Sequence, residues 1–204
     1  LLILASQDMP GISLVNVNKD VVLEFLESQE CLRLKNTGAA IRIKTELDPD
    51  LHPVKGSLTH LRKTLTNLFI NAVEAQPEGG RITITTKNCF VGSPLPGYDT
   101  IRKGSYVVLK ISDNGFGILQ EDIRKIFEPF FTKKNFQRAG TGLGMTVVWR
   151  TVHDHQGYIT VQSEVGKGTC FEIYFPSAGK AAGKETGELP PVRDLMGSGE
   201  TILV

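Results

Sequence analysis

Along this chain the spacing of apolar residues switches repeatedly between a period of 2 and a period of about 3.6, the marks of strands and helices. Alternation predicts strands over Ile12 to Val17, Ile41 to Leu47 and Arg81 to Lys87, where Ile82 and Ile84 interleave with Thr83 and Thr85. Runs rich in β-branched and aromatic residues add strands at Tyr106 to Ile111, Tyr158 to Val165 and Thr169 to Phe175, the last two joined as a hairpin by Gly166-Lys167-Gly168. Helical spacing predicts helices over Val21 to Leu34 and Leu143 to Asp154, with a short one over Glu121 to Phe127. The clearest helix covers Leu58 to Ala75: Leu61, Leu65, Leu68, Ala72 and Ala75 recur at intervals of three and four, and Pro77 and Gly79-Gly80 end it. Phe90 to Gly104 and Glu128 to Gly140 have no period and read as loops, the second as a mobile one. Helices that alternate with strands in this order predict a two-layer α/β sandwich, a mixed β-sheet with helices on one face.

The pattern also divides the chain. Met9-Pro10-Gly11 breaks an apolar segment, so residues 1–11 read as the end of a helix and a linker, and 12–176 as one domain. From 177 to 199 Gly, Ala, Lys, Glu and Pro dominate, a composition that builds no core and reads as a flexible linker before the apolar end at 200–204.

Composition narrows the function classes only slightly. The 23 basic and 22 acidic residues nearly cancel, so no global field draws the chain to nucleic acid or to a membrane. No stretch approaches the roughly 20 apolar residues of a membrane span. Cys31, Cys89 and Cys170 are odd in number and lack metal-ligand spacing, which suits a reduced, cytoplasmic setting.

Three short motifs carry candidate chemistry. Asn67 and Asn71 lie four apart, and Glu74 three further on, so the helix presents them on one face. Amide oxygens there can complete a magnesium shell beside phosphates, or simply face water. Asp113-Asn114-Gly115-Phe116-Gly117 follows an apolar strand and offers either a carboxylate that accepts the amino hydrogen of adenine, with glycines that admit a flat base, or an ordinary Asn-Gly turn. Gly140-Thr141-Gly142-Leu143-Gly144 precedes a helix, where free N–H groups and the helix dipole bind phosphate. It lacks the Gly-Lys-Ser/Thr of a P-loop.

Taken in their order, and followed by Gly166-Lys167-Gly168-Thr169, these motifs resemble the catalytic and ATP-binding (Bergerat-type) domain of sensor histidine kinases. That domain falls within the ATPase superfamily of gyrase, the Hsp90 chaperones and MutL, and the resemblance runs from about Ile12 to Pro176. It implies an asparagine box in which Asn71 ligates Mg2+, while Asn67 stands where gyrase-like ATPases carry a catalytic glutamate. It implies adenine binding by Asp113, Gly115 and Gly117, with Thr169 supporting the base through a water. Ile126 to Lys134 is similar to the aromatic box opening an ATP lid, with Phe130 and Phe131 packing the hinge and Lys134 and Arg138 reaching the triphosphate. Gly140, Thr141, Gly142, Leu143 and Gly144 would close around the phosphates. Glu74 departs from the lysine common in these kinases, and Met145 replaces a usual leucine.

The resemblance therefore implies an ATP- and magnesium-dependent protein-histidine kinase domain. Its phosphoacceptor is not among His52, His60, His153 and His155, none of which sits in the family's acceptor motif. The expected partners are a histidine-bearing dimerisation domain before Leu1 and a receiver domain, whose opening strand the residues Gly199 to Val204 resemble, making the parent a hybrid kinase. The alternatives are a nucleotide-binding regulatory module without turnover and a gyrase- or Hsp90-like ATPase.

Overall fold

The computed structural model describes residues 11–35, 40–94, 100–132 and 141–179. A five-stranded sheet organises the chain: β2 (Ile41–Leu47), β4 (Gly80–Val91), β5 (Gly104–Asp113), β6 (Tyr158–Glu164) and β7 (Gly168–Pro176), in the order β2-β4-β5-β7-β6. The β2–β4 pair is parallel and the others antiparallel, so the sheet is mixed, as the pattern predicts. A parallel pair needs a long crossover. Here it carries β3 (Val54–Ser57) and α3 (Leu58–Glu74). The strand β1 (Ile12–Val15) pairs antiparallel with β3 in a separate two-stranded sheet.

Helices cover one face of the large sheet. On α3, Leu65, Leu68 and Phe69 are fully buried, and on α4 (Gly144–Asp154) Val148 and Val152 meet them. Facing them are Ile82 and Ile84 of β4, Val107, Leu109 and Ile111 of β5, and Phe171, Ile173 and Phe175 of β7. Burial of each such side chain contributes about 1.5–3 kcal/mol. The other face of the sheet has its own small cluster, Val91, Ile101, Tyr106, Val108 and Tyr174, and is otherwise polar, with Lys110 ion-paired to Glu172 at 3.3 Å.

The structure revises several predicted boundaries. The strand at Ile12 stops at Val15, because Asn16 caps the helical turn beginning at Val17: its side chain accepts from the Lys19 N–H while its own N–H donates to Asp20. The helix expected over Val21 to Leu34 starts earlier, as a π-helical turn over Val17–Leu23, and continues as α1 (Glu24–Glu27) and α2 (Gln29–Lys35). Ser28 separates these two by taking an extended backbone, donating to the Phe25 carbonyl at 2.6 Å and accepting from the Cys31 N–H. The helix over Glu121 to Phe127 is instead two 3-10 turns, Gln120–Asp122 and Lys125–Phe127. Of the expected loop from Phe90, the first two residues extend β4 to Val91.

His155, at the end of α4, is buried and joined to the start of α3: its Nε2 accepts the Ser57 N–H at 2.9 Å, and its Nδ1 lies 2.7 Å from the Thr151 carbonyl. Nδ1 must therefore donate, which makes the ring neutral. Burial holds its pKa below the ordinary imidazole value.

Candidate functional site

The end of β5 meets the start of β7 through strand register. Ser112 pairs with Cys170, so the next residues outward, Asp113 and Thr169, are neighbours. Oδ1 of Asp113 accepts two N–H groups, from Gly115 at 2.9 Å and Thr169 at 3.2 Å. Oδ2 accepts none among the described residues. Burial raises the carboxyl pKa, and the two N–H donors partly offset that rise.

The glycines around Asp113 are fixed by close backbone approach. A Cβ on Gly115 would lie 2.5 Å from the Ala75 carbonyl oxygen, because the turn closes on the end of α3 through the bond from Phe116 N–H to Ala75 O. Gly117 has φ +73°, and a Cβ there would collide with the Glu164 carbonyl of the facing hairpin. Both positions exclude a side chain, and the second excludes an L-residue conformation as well.

On α3, Asn67 and Asn71 are half-buried and one turn apart. They differ in their bonding. Asn67 Nδ2 donates to the Gly144 carbonyl at 3.2 Å, which ties α3 to the start of α4. The Asn71 side chain makes no hydrogen bond among the described residues. Glu74 is half-buried on the same helix.

At Leu143 the chain turns into α4 with no side-chain cap bond, so the first N–H groups of the helix, beginning at Gly144, have no intrahelical partner. Thr141 Oγ1 accepts from Leu143 N–H at 3.4 Å. Gly142, at φ +66°, packs against Phe130, and its carbonyl accepts the Phe130 N–H at 3.2 Å. Phe130 itself has φ 66° and is 73% exposed, contrary to the expectation that it packs the hinge. The buried aromatic of that segment is Phe127, held near α4 by the bond from Thr146 Oγ1 to its carbonyl. Lys134, Arg138 and Gly140 lie outside the described residues, as does the greater part of the loop expected to be mobile.

The helix face with Asn67 and Asn71, the start of α4, and the Asp113 turn thus border one region. Asn67 joins the first two, and Gly115 closes the turn onto the end of α3. Sequence reasoning did not find Ser163, whose Oγ accepts from Ile118 N–H at 2.8 Å, donates to Gly168 O at 2.9 Å and lies 2.9 Å from Thr169 Oγ1. A lone serine in a strand carries no local signal of such a role.

Residues 56–179 match the family described as histidine kinase-, DNA gyrase B-, and HSP90-like ATPase. Among curated proteins, the chain is similar to Sensor kinase CckA of Brucella abortus (36% identical over 89% of the chain and 20% of that protein). It is also similar to the Signal transduction histidine-protein kinase AtoS of Escherichia coli (33% over 78% of the chain and 24% of that protein). The chain therefore spans about a fifth to a quarter of the length of these multidomain relatives. Among solved structures, the catalytic domain of histidine kinase ThkA superposes with a TM-score of 0.63 at 28% identity, over 82% of this chain and 96% of that one. Full-length ShkA in complex with AMPPNP shares the fold, with a TM-score of 0.65 at 23% identity over 87% of this chain and 33% of that one. Among the described residues, no helix is long and apolar enough to cross a membrane.

Proposed function

Because the chain belongs to the histidine kinase-, DNA gyrase B- and HSP90-like ATPases and is a catalytic domain of the sensor histidine kinase type, we propose that it transfers the γ-phosphoryl group of ATP to a histidine on a separate dimerisation domain. The observation that carries this reading is the bonding of Asn67. In the hydrolysing relatives the resemblance puts a glutamate at this position as a general base for water. Here the side chain is an amide with no basic group, and its Nδ2 is committed to the Gly144 carbonyl. Such a site favours handing phosphate to an external side chain over activating water, which sets the gyrase- or Hsp90-like alternative aside.

In this reading the Asp113 carboxylate accepts the amino hydrogen of adenine through Oδ2, and Gly115 and Gly117 leave room for the ring. Thr169 supports the base. The uncapped N–H groups at the start of α4 take phosphate oxygens, with Thr141, Gly142 and Leu143 shaping the approach. Lys134 and Arg138 supply positive charge to the triphosphate, and Phe130 and Gly140 border the segment that carries them. Mg2+ fits the donors present: Asn71 offers an amide oxygen with no protein partner among the described residues, beside Glu74, and oxygen ligands suit a hard cation that keeps phosphates and waters in its shell. Bound there, the ion would neutralise phosphate charge.

Transfer is then a displacement at phosphorus: an imidazole nitrogen of the acceptor forms the N–P bond as the bond to the β-phosphate oxygen breaks, and ADP leaves with the negative charge. The chain's own residues position and screen rather than react covalently. His155 is unsuited as an acceptor, since both ring nitrogens are engaged inside the core. The proposed parent is a cytoplasmic or cytoplasm-facing hybrid kinase, with residues 1–11 leading from the dimerisation helix, 12–176 forming the catalytic domain, 177–199 a linker and 200–204 the first strand of a receiver domain.

Incubation with labelled ATP and magnesium tests this. The chain alone should neither label itself nor hydrolyse ATP quickly, and a hairpin carrying the parental histidine, supplied in trans, should acquire an acid-labile phosphoryl group. Rapid hydrolysis by the chain alone would place it with the ATPases. Tight ATP binding with no transfer to the hairpin would make it a regulatory module.

A further inference from the structure

We infer that Ser163 is a specificity-determining residue that makes the Thr169 hydroxyl a pure hydrogen-bond acceptor and so selects a 6-amino purine over a 6-oxo purine. This rests on the nucleotide site proposed above. A serine hydroxyl has one hydrogen and two lone pairs. Ser163 accepts from Ile118 N–H at 2.8 Å, and its single hydrogen goes to the Gly168 carbonyl at 2.9 Å, since a carbonyl only accepts. The remaining 2.9 Å contact, to Thr169 Oγ1, can then be made only if Thr169 donates. With its one hydrogen held by Ser163, the Thr169 oxygen offers nothing but lone pairs to a ligand.

Thr169 is 5% exposed, so water does not readily supply an alternative proton arrangement. Its backbone N–H sits on the Asp113 carboxylate, so an acceptor-only hydroxyl and an acceptor-only carboxylate stand side by side. Two acceptors suit the amino group of adenine, and a water that donates one hydrogen to each of them likewise presents only lone pairs to the base. Hypoxanthine differs at that edge: its N1–H could still bond Asp113, but its 6-oxo oxygen would meet the lone pairs of Thr169, an unfavourable pairing. Removal of the Ser163 hydroxyl frees the Thr169 proton to turn toward that oxygen, which converts the repulsive contact into a bond. Gln120 Nε2 donates to the Ser163 carbonyl at 2.8 Å, so the backbone at this position is braced independently of the hydroxyl.

The test is calorimetric affinity for ADP and inosine diphosphate in five proteins: the unsubstituted chain, Ser163→Ala, Ser163→Thr, Thr169→Val and the double Ser163→Ala/Thr169→Val variant. Ser163→Ala should narrow the ADP-to-IDP preference by about ten-fold, mainly by strengthening IDP relative to ADP. Ser163→Thr should restore it. In the Thr169→Val background, Ser163→Ala should leave the preference unchanged. Where the alanine variant does not fold, Ser163→Cys provides a filled site with a weak donor and should narrow the preference likewise. Equal weakening of both nucleotides, or a narrowed preference that persists in the Thr169→Val background, would overturn the inference while leaving the nucleotide site standing. Failure of the unsubstituted, folded chain to bind ADP would overturn both.

Discussion

Replacing Asp113 with Asn separates the two tasks this residue performs in the structure. One oxygen holds the turn by accepting the Gly115 and Thr169 N–H groups, and in the proposed nucleotide site the other meets the ligand. An amide oriented with its oxygen toward those two donors preserves both bonds and presents Nδ2 to the ligand. The exocyclic amine of adenine then meets a donor instead of an acceptor. The loss comprises a charge-assisted hydrogen bond, about 1.5–3 kcal/mol, and a buried donor left unpaired, about 1–3 kcal/mol. Together these come to about 2.5–6 kcal/mol, or at least about seventy-fold in Kd. A flipped amide offers no escape, because Nδ2 would then face the two N–H groups of the turn. Stability should change little, since burial already disfavours the carboxylate's charged form and lifts its pKa. Titration calorimetry with ADP and a thermal melt of the same sample read the two effects separately. An Asp113→Asn variant that binds ADP within about three-fold of the unsubstituted chain would refute the assigned division of labour. The raised pKa adds a pH signature: ADP affinity should fall as Asp113 protonates, at a midpoint above that of an ordinary aspartate.

Asn71→Ala should weaken ATP binding in magnesium by about ten-fold and leave binding in chelator nearly unchanged, a difference that paired titrations would expose. Gly117→Ala should cost at least about 2 kcal/mol in urea unfolding, because it adds an unfavourable φ and a collision with the Glu164 carbonyl; an unchanged midpoint would contradict that geometry. His155 has a lowered pKa, so between its folded and unfolded values the unfolded chain binds the extra proton. Its stabilising contribution is complete above about pH 6.5 and is lost as pH falls through the folded pKa, and His155→Phe should remove that slope from a plot of unfolding free energy against pH.

Residues with strong local signals were legible in the sequence. The glycines of the Asp113 turn and the uncapped start of α4 show in the chain itself, because a turn or a helix end is decided by a few neighbouring residues. The sheet's mixed character came from the order of elements. The short strand β3 was not legible: Val-Lys-Gly-Ser has little strand preference and exists by pairing with β1, a partner some forty residues away. The break at Ser28 was hidden for the opposite reason, since an apolar spacing close to helical continues through it and only the hydroxyl's competition for backbone groups ends one helix and begins the next. Phe130 misled because aromatic residues in a loop suggest burial, whereas the register of the turn buries Phe127 instead. Ser163 and His155 act through partners that only the folded chain brings near.

The bonds of His155 and Asn67 have a mechanical consequence when considered together. One fastens the end of α4 to the residue just before α3, and the other fastens the start of α4 to the middle of α3. The stretches between the fasteners, from the cap Ser57 to Asn67 along one helix and from Gly144 to the cap His155 along the other, span about 15 and 16.5 Å at the usual helical rise. Two nearly equal, antiparallel lengths are thus pinned at both ends. A single pin would let one helix swing about it like a hand on a clock; two pins forbid both that rotation and sliding. The gap between Asn71 and the first N–H groups of α4 is therefore held like the jaw of a fixed gauge. In the proposed nucleotide site a bound triphosphate would conform to that width, and the width should be the same with and without nucleotide.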